Sequence, residues 1–178
     1  MARDATLHYV EQYPSMPTPL LDREVTLRRG PLFFDEQQSR TLEALCDRVL
    51  PQATPRVAVP LAALLDARCY ANLDEGSAPG QLAPRDTWRL ALGALDSEAR
   101  ERYGKGFADL RGTEQDALVH AMRSGLLGHP AWGKVAPQVF FHQRLLRDVS
   151  TVYYSHPAAW PSASIVGSFA FPAGPCQE

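Results

Sequence analysis

Apolar positions recur along this chain at three- and four-residue intervals, the period of helices that turn one face inward. Leu42, Leu45, Cys46, Val49 and Leu50 form one such stripe. It opens behind Asp35, with Gln38 three residues on, a capping-box pair that predicts a helix over 36–50. Phe34, just before the cap, is placed for a hydrophobic staple, and Pro51 ends the helix. Leu61, Leu64, Leu65 and Cys69 follow Val59-Pro60 and predict a second helix to about Leu73. Trp88, Leu92 and Leu95 share one side of a third, capped by Asp86. Asp96 reads as the cap of a short fourth helix that Gly104 closes after Tyr103. Thr113 with Asp116 heads a fifth, which carries Leu118, Val119 and Met122 and has Gly125 just past its end. Residues 128–133 make a turn, and Pro137 begins the last helix.

Outside the tail no segment alternates apolar and polar residues as a half-buried strand would. The expected fold is therefore all-α, an irregular bundle of about six helices without internal repeats. Pro14, Pro17, Pro19 and Pro31 predict an extended N-terminal arm over 1–32, with room for a short helix at 20–27. The helical domain then covers 33–160, and residues 161–178, rich in Pro, Gly and Ser, form a non-helical tail.

On a helical wheel the last helix separates into two faces. Val139, Phe141, Leu145, Leu146, Val149, Val152 and Tyr153 make a broad apolar stripe, with His142 in its middle as a core histidine. Gln143, Arg144, Arg147, Asp148, Ser150 and Thr151 lie opposite, joined by Phe140 and Tyr154. Two large aromatics on a polar face call for a cover, either the tail or a partner. The helix leaves through Tyr153-Tyr154-Ser155-His156-Pro157, with Trp160 close behind, and the residue before a proline is biased to extended backbone.

Charge and composition narrow the function. A net charge of −2 argues against nucleic acid or an anionic membrane as the main partner. No apolar run approaches the ~18 residues of a membrane span. The start lacks the apolar core of a secretion signal, and Cys46, Cys69 and Cys176 are scattered, so a cytoplasmic location is expected. Cys46, within an apolar stripe, reads as an inert buried thiol. None of the motifs for a nucleophile elbow, a dinucleotide fold or a phosphate loop occurs. Asp116 and His120 are spaced i,i+4, but the five histidines form no ligand cluster in the sequence.

Three segments taken in order carry a family resemblance: FFDEQQSRTLEALCDRVLPQ, ALDSEARERYGKGFADLRGTEQDALVHAM and FFHQRLLRDVSTVYYSHPAAW. Together they resemble the gluconate 2-dehydrogenase subunit 3 (gamma subunit) family over about residues 33–160. The resemblance implies an all-helical accessory subunit with no cofactor and no active site of its own. Its partner would be the large, FAD-binding subunit of a flavin-dependent sugar or sugar-acid dehydrogenase, working with a cytochrome c subunit. Two features depart from the family pattern. The twin-arginine signal common in exported members is not found, and Pro172-Ala173-Gly174-Pro175 stands where relatives carry an end resembling Pro-Arg-Gly-Tyr. On this reading Phe140, Arg147, Tyr154, His156, Pro157 and Trp160 form the partner contact. Two rival readings stay open: a helical enzyme or metal-binding protein centred on His142 with His120 or His156, and a scaffold that self-associates through the aromatic helix exit.

Overall fold

The computed structural model describes residues 30–52, 59–72, 82–156 and 159. The chain divides into two compact units, Met1–Gly30 and Pro31–Glu178, and the fold that follows is that of the second. Most of the predicted arm, the predicted tail, Cys176, Pro157 and Trp160 lie outside the described residues.

The described residues are all-α, with five helices and no strand. Helix α1 is Glu36–Val49, α2 Leu61–Tyr70, α3 Pro84–Tyr103 and α4 Gly112–Arg123. Helix α5 starts as Pro137–Val139, widens into a π-helix over Phe140–Leu145 and continues as α-helix over Leu146–Ser155. Single 3₁₀ turns at Phe107–Asp109 and Pro130–Trp132 connect α3 to α4 and α4 to α5. No described helix is long and apolar enough to cross a membrane.

Local signals in the sequence set several boundaries. Asp35 accepts from the Gln38 amide at 2.7 Å and Gln38 returns a bond to the Asp35 amide, as the capping box requires. Gly104, at φ +71°, and Gly125, at φ +70°, take the left-handed conformation that ends α3 and follows α4. Where sequence and structure differ, a side chain has acquired a longer-range task. Asp96 caps no helix: it lies inside α3, which runs unbroken for 20 residues, so the two predicted helices are one. That helix opens with Pro84 in its first turn, ahead of Asp86. Likewise α4 starts at Gly112, ahead of Thr113, and Glu114 does the capping by accepting from the Arg111 amide at 2.9 Å.

Helix α3 is the hub, in contact with every other helix. Its Trp88, Leu92, Leu95 and Ala99 are at most 1% exposed and meet Leu42 and Leu45 of α1, Leu65 of α2, Leu118 and Met122 of α4, and Leu145 of α5 in one continuous core. Each such large side chain contributes roughly 1.5–3 kcal/mol on leaving water. Cys46 belongs to this core, and burial, with Asp47 and Glu43 nearby, pushes its thiol up to about 12. It is buried, as expected.

Four buried carboxylates tie connecting segments and helices to this core: Asp66, Asp96, Glu98 and Asp148. Asp66 accepts from the backbone amides of Leu32, Phe33 and Phe34 in succession. This fixes the approach to α1 in place of a staple, since the staple position on α1 is Ser39; the Phe34 ring is simply buried. Arg89 completes the anchor, donating to the Phe33 carbonyl at 2.7 Å with its guanidinium 3.8 Å from the Phe33 ring centroid. Asp96 accepts from the Phe107 amide at 2.9 Å and from the Gln37 side chain at 3.2 Å. Glu98 accepts from the His129 amide at 2.7 Å and the Trp132 indole at 3.3 Å. Buried acids need compensating partners: each of these is hydrogen-bonded, and Asp96, Glu98 and Asp148 also face an arginine.

Candidate functional site

The π turn decides what α5 presents. Its i→i+5 bonding adds about one residue to a turn, which rotates everything N-terminal by roughly 100° relative to a regular helix. From Leu145 on, the wheel holds except at Asp148: Leu145, Val149 and Val152 are buried, Tyr153 is half-buried, and Arg147 and Tyr154 are exposed. Within and before the turn it fails at three positions, although Phe141 is buried as expected. Phe140, expected on the polar face, is 2% exposed, while His142, expected in the core, is exposed and Val139 is 49% exposed.

Phe140 instead fills an aromatic cluster. It meets Trp88 edge-on at 5.1 Å between centroids and Trp132 at 6.2 Å. Such pairs contribute about 0.5–1.5 kcal/mol beyond the area they bury. Each indole N–H is taken by a buried acid: Trp132 by Glu98, and Trp88 by Asp148 at 2.9 Å. Asp148 was expected on the polar face, yet it is 2% exposed, since the indole and two arginines compensate its charge. Arg144 approaches it at 3.6 Å and Arg147 at 3.4 Å through Nε.

Outside this cluster the solvent face of α5 carries Gln143, Arg147, Ser150, Thr151 and Tyr154, residues that recur at three- and four-residue spacing. The Arg147 side chain is 55% exposed and Tyr154 57%, its ring edge-on to Tyr153 at 5.3 Å. His156 ends the helix with extended backbone, φ −93° and ψ 129°, and is itself buried. Of the residues expected at a partner contact, Arg147 and Tyr154 lie on the surface, Phe140 and His156 lie inside, and Pro157 and Trp160 are outside the described residues.

Other features offer less chemistry. Among the described residues no three His, Cys, Asp or Glu side chains converge as a metal site would require. An open cleft of about 330 Å³ is lined by Arg40, Glu43, Asp47, Arg48 and Gln115. Its arginines pair with Asp109 and Asp116.

Asp148 and Arg144 were the residues sequence reasoning missed. The available signal was their i,i+4 spacing beside a helix whose neighbour carries a tryptophan needing an acceptor. No curated protein and no solved structure matches this chain. The family model described as gluconate 2-dehydrogenase subunit 3 matches residues 36–166, from the first turn of α1 past the exit of α5. This chain belongs to the gluconate 2-dehydrogenase subunit 3 family.

Proposed function

We propose that this chain is a non-catalytic small subunit that binds the FAD-carrying subunit of a sugar or sugar-acid dehydrogenase and assists its assembly or stability. The observation that carries the reading is the family match, which spans all five helices and the α5 exit. The geometry supports it. Helix α5 is held from within by the Trp88–Phe140–Trp132 cluster, and it shows solvent a polar stripe with Arg147 and Tyr154. Arginine and tyrosine are among the side chains that dominate interface energetics, at about 2 kcal/mol or more for a buried anchor. In this reading FAD belongs to the partner, a cytochrome c subunit removes the electrons, and the substrate never touches this chain.

Affinity purification of the tagged full-length chain from its native host tests the reading. The bound fraction should contain a stoichiometric flavoprotein with sugar or sugar-acid dehydrogenase activity, while the chain alone carries no flavin. A bound fraction without a flavoprotein would remove the proposal.

A further inference from the structure

We infer that Arg147 is the anchor for an acidic side chain of the partner, presented at a fixed angle by the buried carboxylate of Asp148. The inference deepens the reading above and rests on it. Asp148 is the sole acid between Pro137 and Ser155, and two arginines face it. Arg144 is the more buried of them, its side chain 20% exposed, and it balances the Asp148 charge from inside. Two guanidiniums against one carboxylate leave the cluster a net positive charge, and Arg147, the more exposed, presents it. Its Nε is directed at Asp148, and among the described residues nothing else bonds its two terminal nitrogens. A guanidinium held by one edge offers the other as a planar fork, the geometry that binds a carboxylate through two parallel bonds.

The neighbours on that face fit the same partner chemistry. Gln143, Ser150, Thr151 and Tyr154 are uncharged hydrogen-bonding groups, so the solvent face of α5 has no acid to repel a carboxylate. The whole chain carries −2, which makes this stripe locally positive on an acidic protein. Charge complementarity thus selects an acidic surface of the dehydrogenase subunit as occupant. A second copy of this chain, which would bring Arg147 against Arg147 across a two-fold contact, is disfavoured.

Two variants of the full chain, purified with the flavoprotein that the wild type brings down, test this. Arg147→Glu should weaken retention of that flavoprotein at least tenfold and reduce its weakening by salt, while the free chain still folds with a lowered melt, because a second carboxylate then stands beside Asp148. Arg147→Lys places a primary amine at the site. A water-soluble carbodiimide condenses that amine with an activated carboxylate, losing the activated oxygen as the urea, and so forms an amide. Peptide mapping should then find position 147 joined to an Asp or Glu of the flavoprotein. If Arg147→Glu retains the flavoprotein normally, or the linked carboxylate lies in a second copy of this chain, the anchor is overturned while the subunit reading stands. If the wild type brings down no flavoprotein, both fall together.

Discussion

The Trp88 indole donates to Asp148 at 2.9 Å across 60 residues of sequence, joining α3 to α5 at a point where both residues are at most 2% exposed. This single bond orders much of the candidate site. It holds Trp88 edge-on to Phe140, fixes α5 against the hub helix, and sets the carboxylate that Arg144 and Arg147 approach.

Breaking the pair from either side should therefore cost unequal amounts. Trp88→Phe keeps a ring but leaves one carboxylate oxygen unbonded, a loss of about 1–3 kcal/mol. Asp148→Ala strands both the buried indole and the half-buried Arg144, so a larger loss, about 3–5 kcal/mol, is expected. Urea unfolding of both variants measures the difference; equal losses would contradict this account of the site.

Two glycines should respond with opposite sign. A Cβ at Gly106 would stand 2.7 Å from the Asp96 carboxylate and 3.2 Å from the Gln37 amide. Gly106→Ala must displace a buried acid and should destabilise by about 1–3 kcal/mol. Gly93, on the solvent side of α3, has nothing within 4 Å of the same atom. Gly93→Ala should stabilise by about 0.5–1 kcal/mol through helix propensity. Thermal melts of both variants check the pair.

Helix starts and stops were readable because they are local. Asp35 with Gln38, Gly104, Gly125 and Pro137 each act within a few residues of themselves, so spacing alone reveals them. Cys46 was readable for the same reason, as one point on a regular stripe. The buried acids were not, because a hydropathy pattern treats Asp66, Asp96, Glu98 and Asp148 as surface marks. Their partners lie up to 60 residues away. Nor was the π turn: one additional residue in a turn leaves no mark on composition, yet it exchanged the places of Phe140 and His142.

Alkaline pH should weaken the fold through Cys46. Its thiol is raised from the ordinary 9.0 to about 12, so above pH 9 the unfolded chain loses a proton that the folded chain keeps. This contribution is whole below pH 9 and is lost between pH 9 and about 12, at up to about 1.4 kcal/mol per pH unit. Cys46→Ser or Cys46→Ala should flatten that limb of a stability–pH curve. In the native state the thiol should resist a disulfide reagent that labels it once the chain unfolds.

At acid pH the exposed Arg111–Glu114 pair acts in the opposite direction. The hydrogen bond from Arg111 holds the Glu114 carboxyl below its usual range. Its support for the start of α4 is present above the unfolded carboxylate value and is lost as pH falls through the lowered one. Glu114→Gln, which resembles the protonated acid, should lower stability slightly at neutral pH and leave it unchanged in acid, so that this acid-side dependence disappears from circular-dichroism melts taken across the range.

The central claim is that this chain docks on a flavoprotein that does the chemistry. Sedimentation velocity followed at the visible absorbance of flavin tests it most directly, with the dehydrogenase subunit alone and then with this chain added. The flavin boundary should move to a faster species and saturate at a fixed ratio of the two chains. A flavin boundary that stays in place at every ratio would contradict it.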